Sequence, residues 1–208
     1  MYDFLVDLDG YFCERYANYD KLCILPGYHM PIMQATKIDD FGRTYAYTLP
    51  SSNMRLALQE NKDDILKELK KRITDKGFSF SFRPIGFFRR IKNSFAKVSP
   101  KKVLTEIMER NKLTSEEAQK ELAIDEEIWK NICNGKFAPT KNTIFSLALT
   151  GHLSIEDTKS LMEINGYDFD FTVERDVVIA YLIENKVFSR PMIEAALAEY
   201  KVSNLFLK

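Results

Sequence analysis

Catalysis and metal binding need side chains of a few types at short, defined spacing, and this sequence holds few of them. Its cysteines are Cys13, Cys23 and Cys133, and its histidines are His29 and His152. No CxxC pair exists, and neither histidine has a second histidine or a cysteine at ligand spacing. A zinc site and a disulfide framework are therefore not expected, and all five read as ordinary buried or partly buried residues. Paired carboxylates occur at Asp39-Asp40 and at Asp63-Asp64. The first pair suits a turn, where aspartates bond their own backbone, and the second suits a solvated helix face. From these residues no catalytic group, metal ligand or cofactor is expected.

The one unbalanced charge runs from Arg83 to Lys102. It contains Arg83, Arg89, Arg90, Lys92, Lys97, Lys101 and Lys102 and no acid, with Phe87, Phe88 and Phe95 interleaved. Aromatics among cations can stack bases while the charges follow a phosphate backbone. The same pattern suits an acidic membrane or an acidic partner. The plainer expectation is an amphipathic helix whose phenylalanines dock on the domain while its cations stay solvated.

The elements that would carry these residues divide at Ala96-Lys97-Val98-Ser99-Pro100. Residues 1–95 hold 15 basic and 12 acidic side chains, and residues 96–208 hold 15 and 18. Proline disfavours helix in the residue before it, and Ser-Pro also reads as a helix start. Before the seam, residues 4–19 are ambiguous, with a short helix favoured from about Leu8. Leu25-Pro26-Gly27-Tyr28 reads as a turn. Residues 32–38 and 43–49 read as two strands joined by Asp39-Asp40-Phe41-Gly42, a hairpin signal. Pro50-Ser51-Ser52-Asn53 reads as a loop ending in an N-cap, and residues 54–74 as a helix with Leu58, Ile65, Leu69 and Ile73 on one face, stopped by Gly77. The alternation of Phe78, Phe80 and Phe82 with Ser79 and Ser81 reads as a half-buried strand, and residues 85–95 as a second helix. The predicted class is thus α+β: a domain over residues 1–95 (hairpin, helix, strand, helix), then an all-helical domain over residues 99–208. The second half predicts seven helices, over 100–111, 115–122, 125–134, 141–151, 155–165, 173–185 and 190–200.

Residues 113–149 carry the most pattern. Thr114 with Glu117 forms the signature of a capping box. Ala123-Ile124-Asp125 makes a tight turn, and Asp125 caps the next helix. Ile128, Trp129 and Ile132 face inward there, and Asn134-Gly135 ends the helix with a C-cap glycine. Lys136 and Pro139 lead into a helix with Ile144, Leu147 and Ala148 inward. This spacing resembles the Cro/lambda-repressor-like (Xre-type) helix-turn-helix, carried by Leu113-Thr114, Leu122, Ile124, Ile132, Asn134-Gly135-Lys136 and Pro139 over roughly residues 103–162. The wider stretch from Ser99 to about Tyr200 also looks like a helical domain of Gram-positive bacterial proteins, some of them joined to macrodomains. The resemblance rests on Ala123-Ile124-Asp125, Ile132, Pro139-Thr140-Lys141, Leu147-Ala148-Leu149, Asn165-Gly166-Tyr167 and Tyr181-Leu182-Ile183-Glu184-Asn185.

The resemblance implies a bacterial or prophage-type regulator with a degenerate reading helix. In that family the N-terminal part of the second motif helix meets base edges in the major groove. The matching positions are Asp125, Glu126, Glu127, Lys130 and Asn131, three of them acids, which phosphates repel. Nucleic-acid contact is therefore expected from Lys130, Asn131, Lys136, Lys141 and Asn142, together with Arg83, Arg89, Arg90 and Lys92. The alternative is a protein-interaction or scaffold role, with Glu126 and Glu127 facing a partner or a second copy in a homodimer.

Val6-Asp7-Leu8-Asp9-Gly10 resembles the nucleophile motif of haloacid-dehalogenase-type phosphatases, which implies paired aspartates holding magnesium. That family needs a hydrophobic strand before the motif and a βαβ series after it, and neither is legible here. The same residues read as a helix start with Asp7 or Asp9 satisfying backbone N–H groups. The expectation is a protein that is not an enzyme. With 30 basic and 30 acidic residues, it is not held on polyanions by bulk charge. The longest apolar run, residues 177–183, is far short of the roughly 20 needed to span a bilayer. The opening residues lack the pattern of a signal peptide, so a soluble, cytoplasmic chain without a membrane partner is expected.

Overall fold

A computed structural model describes residues 4–18, 34–38, 41–48, 62–75 and 82–206. The described elements begin with α1 (Phe4–Arg15), the ribbon β1 (Gln34–Ile38) and β2 (Thr44–Thr48), α2 (Lys62–Arg72), β3 (Arg83–Pro84) and α3 (Phe87–Phe95). They continue with α4 (Pro100–Arg110), α5 (Ser115–Leu122), α6 (Glu126–Cys133), β4 (Phe137–Ala138), α7 (Lys141–Thr150), α8 (Ile155–Ile164), α9 (Glu174–Glu184) and α10 (Arg190–Glu199).

The expected α+β class is overturned. Among the described residues, helices carry the fold, and β structure is confined to two separate two-stranded ribbons. β1 and β2 do form the antiparallel hairpin, with Thr36 opposite Ala46. Hairpin signals are local, whereas a sheet needs further strands to pair with it. Of the expected strand over Phe78 to Phe82 only Phe82 is described, outside any strand, and the two-residue β3 follows it at Arg83–Pro84, where Pro84 has no amide to donate. β3 pairs with β4 instead of the hairpin, placing Arg83 opposite Ala138 and Pro84 opposite Phe137. Phe78, Phe80, the turn at 25–28, the loop at 50–53 and the first half of the 54–74 helix lie outside the described residues.

The helices of the second half stand where the sequence puts them, within a residue at most ends. α9 is apolar on every side from Val177 to Ile183, and residues 175–183 are all buried, which makes it the central rod. α7 is buried from Asn142 to Leu149 and packs beside it. Helices from both sides of the 96–99 seam share one core. Leu8 and Phe12 of α1 and Ile65, Leu66 and Leu69 of α2 belong to the same buried cluster as Val177, Leu182 and Leu197. Phenols fasten α1 to α9: Tyr16 Oη donates to Glu174 Oε1 at 2.8 Å, and Tyr181 Oη donates to the Phe4 carbonyl at 3.0 Å. Burial, reinforced by the acceptor carboxylate, pushes the Tyr16 phenol well above the usual range, so it stays a donor.

Candidate interaction surface

Local chemistry builds the helix pair α5–α6 from its caps. The Glu117 amide donates to Thr114 Oγ1 at 3.2 Å, and the Thr114 amide donates to Glu117 Oε2 at 3.0 Å, closing the capping box. Ala123 ends α5 in the left-handed region at φ 49°. Gln119 Nε2 donates to the Ile124 carbonyl at 2.8 Å and holds the turn. Asp125 Oδ1 accepts from the amides of Glu127 and Ile128, at 2.9 and 3.1 Å, and starts α6. Trp129 and Ile132 turn inward and are buried. Trp129 Nε1 donates to Ser115 Oγ at 2.8 Å, which locks α6 against the start of α5. Asn134 is the C-cap of α6 and Gly135 follows it with φ 66°; a Cβ there would meet Lys101 Cβ at 3.4 Å, so α4 lies close against the end of α6.

The capping box carries a pH dependence. Hydrogen bonds from the Thr114 hydroxyl and amide hold the Glu117 carboxyl below the usual glutamate range. A depressed folded-state pKa stabilises the fold above the unfolded value, about 4.3, and that stability is lost as pH falls through the folded value. Urea unfolding of the wild type and of Glu117→Gln, compared at neutral and acidic pH, is expected to show a smaller acid loss in the variant.

Turned outward, α6 presents Glu126, Glu127 and Lys130, all exposed, with Asn131 half-buried. Glu116 and Glu121 of α5 are exposed as well. An open cleft between the two helices is lined by Ser115, Glu116, Gln119, Glu126, Lys130 and Cys133. The carboxylates at the start of α6 suit the positive end of its dipole. The side of α6 that would enter a major groove thus begins with acids.

The predicted cations divide into three places. Lys130 stands among the carboxylates of α6. Lys136 follows α6, and its carbonyl accepts from the Ile85 amide at 2.7 Å. That bond and the β3–β4 pairing bring the basic segment beside the end of α6, with Lys136 opposite Ile85 and Arg83 opposite Ala138. Arg83, Arg89, Lys92, Lys97, Lys101 and Lys136 are exposed, and among the described residues none of them makes an ion pair. Arg90 and Asn93 are half-buried against Ser99, Lys101, Asn134 and Gly135.

The third place is interior. Lys141 pairs with the buried Asp176, and Asn142 is itself buried and accepts from Arg175 Nη1 at 3.0 Å. Arg175 also pairs with Asp75, whose other oxygen accepts from the Ser203 amide at 2.8 Å. Burial raises the Asp176 carboxyl, offset in part by the Asp170 amide and by Lys141. Asn142 is thus buried and Lys141, half-buried, is committed to Asp176, in a network that joins the segment after α2, α7, α9 and the C-terminal segment. Sequence gave no sign of the Asp75–Arg175 pair or of Ser115 as the partner of Trp129. The first spans a hundred residues, and hydroxyl partners of this kind carry no pattern.

The expectation for α3 is also corrected. Phe87, Phe88 and Phe95 are exposed by 62, 85 and 87%, not docked on the core. Asp7 and Asp9 stand two apart on α1, where side chains at that spacing do not face each other. Asp9 accepts from Lys70 Nζ at 2.8 Å and from Tyr200 Oη at 2.7 Å, while Asp7 is exposed. Lys70 also reaches Glu199 at 2.7 Å, so the cluster clamps α1, α2 and α10 together. Burial lowers the Lys70 ammonium, but its hydrogen bonds to Asp9 and Glu199 outweigh that and hold it charged. Cys13 is buried, Cys133 is half-buried with its thiol pushed up by burial, and His152 is exposed and stacks on Phe188. Cys23, His29 and Asp39-Asp40 lie outside the described residues. Among the described residues, no group of three metal-ligating side chains comes together. No helix there is long and apolar enough to cross a membrane. No family model, curated protein or solved structure matches the chain.

Proposed function

We propose that this is a non-catalytic binding protein of regulator type whose α5–α6 pair is a protein-interaction module. The observation that carries this reading is the outward side of α6. Its large apolar side chains are committed to the core, and its exposed first turn offers Glu126 and Glu127 beside Asp125. Such a face repels a phosphate backbone and suits a cationic protein surface, because complementary charge steers encounter and fixes register. The exposed cations of α3 and α4 make a second copy of this chain the first partner to test.

Sedimentation at low and high ionic strength is the direct measurement. Salt-sensitive self-association is expected, weakened roughly tenfold in Glu126→Lys/Glu127→Lys, because each exposed pair contributes up to about 1 kcal/mol. A strict monomer at low salt, with the variant indistinguishable from wild type, would remove this reading. The helix-turn-helix resemblance favours nucleic acid as the second reading, and one observation supports it. The ribbon sets Lys136 opposite Ile85, two residues on from Arg83, and Gly135 lies against Lys101, so exposed cations of both segments lie at the end of α6, where phosphates can be met without reading bases. Salt-sensitive anisotropy with random duplex, unchanged by Glu126→Lys/Glu127→Lys, would favour it.

A further inference from the structure

The helix α3 is inside out. Phe87, Ile91 and Phe95 recur four residues apart with Phe88 beside them, forming a continuous apolar arc on one side. A surface helix ordinarily turns such an arc to the core. Here Ile91 is 41% exposed and the three phenylalanines more so, with Val98 just beyond at 61%. The side turned to the bundle is polar: Arg90 and Asn93 are half-buried against the start of α4 and the Asn134-Gly135 corner. Arg89 and Lys92 are exposed alongside the arc. The Ile85 amide bond to Lys136 and the Ser99 cap of α4 fix the helix at both ends.

We propose that α3 is a membrane-surface anchor, seating its apolar arc at the headgroup–acyl boundary of a bilayer rich in anionic phospholipid. Charge complementarity selects this occupant. The segment from Arg83 to Lys102 carries seven cations and no acid, the composition that anionic headgroups attract. The geometry fits as well: a short helix with aromatic side chains on one side and cations at its flanks lies in the interface without spanning it. Nine residues are too few to cross, so the absence of a spanning helix among the described residues does not bear on this docking mode. A contiguous arc that includes an isoleucine also suits insertion better than base stacking, which uses flat rings alone. The sequence expectation of no membrane partner is replaced, for this surface, by peripheral binding.

Flotation of the full chain with vesicles tests this. Binding is expected to vesicles of phosphatidylglycerol mixed with phosphatidylcholine, to weaken as salt rises, and to be lost with phosphatidylcholine alone. Phe88→Ser/Phe95→Ser is expected to reduce partitioning roughly a hundredfold, because two rings no longer leave water. Arg89→Glu/Lys92→Glu is expected to abolish the preference for the anionic lipid. The rings are exposed, so circular dichroism and the unfolding midpoint of the serine variant stay at wild-type values. Failure to float with anionic vesicles overturns the proposal, as does binding that the serine variant retains. Phe88- and Phe95-dependent binding of a single-stranded oligonucleotide, or Phe-dependent self-association, without vesicle binding would give the face to that occupant instead. Loss of salt-sensitive self-association in the Glu126 and Glu127 variant leaves vesicle binding intact, so the two readings fail separately.

Discussion

Replacing Asp75 with alanine is expected to destabilise the fold by about 3–5 kcal/mol, the range for removing one member of a buried ion pair. The side chains of Asp75 and Arg175 are only 9% and 8% exposed. Arg175 also donates to Asn142 Oδ1, and Asp75 also accepts from the Ser203 amide. Alanine at this position leaves the guanidinium in the interior without its carboxylate and the Ser203 amide without its acceptor. Such a loss is a large part of an ordinary total of about 5–15 kcal/mol. Asp75→Asn keeps the shape and an acceptor and should cost less. Urea unfolding followed by circular dichroism separates the two, and equal midpoints for wild type and Asp75→Ala would contradict the assignment. By contrast, the exposed pair Arg190–Glu194 should contribute no more than about 0.5 kcal/mol.

Trp129→Ala is expected to cost about 3–5 kcal/mol and to loosen the face that α6 presents. The indole is 3% exposed, and its N–H is bonded to Ser115 Oγ. Its removal opens a cavity between α5 and α6 and frees the helix that carries Glu126 and Glu127. Ser115→Ala should cost only about 1 kcal/mol, since it deletes one hydrogen bond and leaves the packing in place. Trp129 is the only tryptophan. Its fluorescence in the wild type reports the environment of α6 directly, and circular dichroism serves for the alanine variant. In that variant the salt-sensitive self-association should weaken along with stability. A variant as stable as the wild type would mean that α6 is not pinned by this residue.

These two sites differ in how legible they were. The helices from Pro100 onward follow from local signals: Ser99, Thr114 and Asp125 cap as their side-chain types dictate, and Gly135 takes the positive φ that ends α6. The inward stripe of Trp129 and Ile132 follows from helical periodicity. The α+β class failed because it promoted one true hairpin into a sheet domain. A hairpin signal says nothing about a third strand, and β3 pairs across the seam with β4 instead.

By itself, then, the sequence determined the helices, their caps, the acidic start of α6 and the block of cations from Arg83 to Lys102, because each of these depends on residues within a turn or two of one another. Only the tertiary structure decided which charges meet solvent. Lys141 and Asn142 share their composition with surface residues, yet they sit in an interior network with Asp176 and Arg175. The phenylalanines of α3 share theirs with core residues, yet they face outward. Helical periodicity fixes which residues lie on one side of a helix; the packing of distant elements fixes which side is buried.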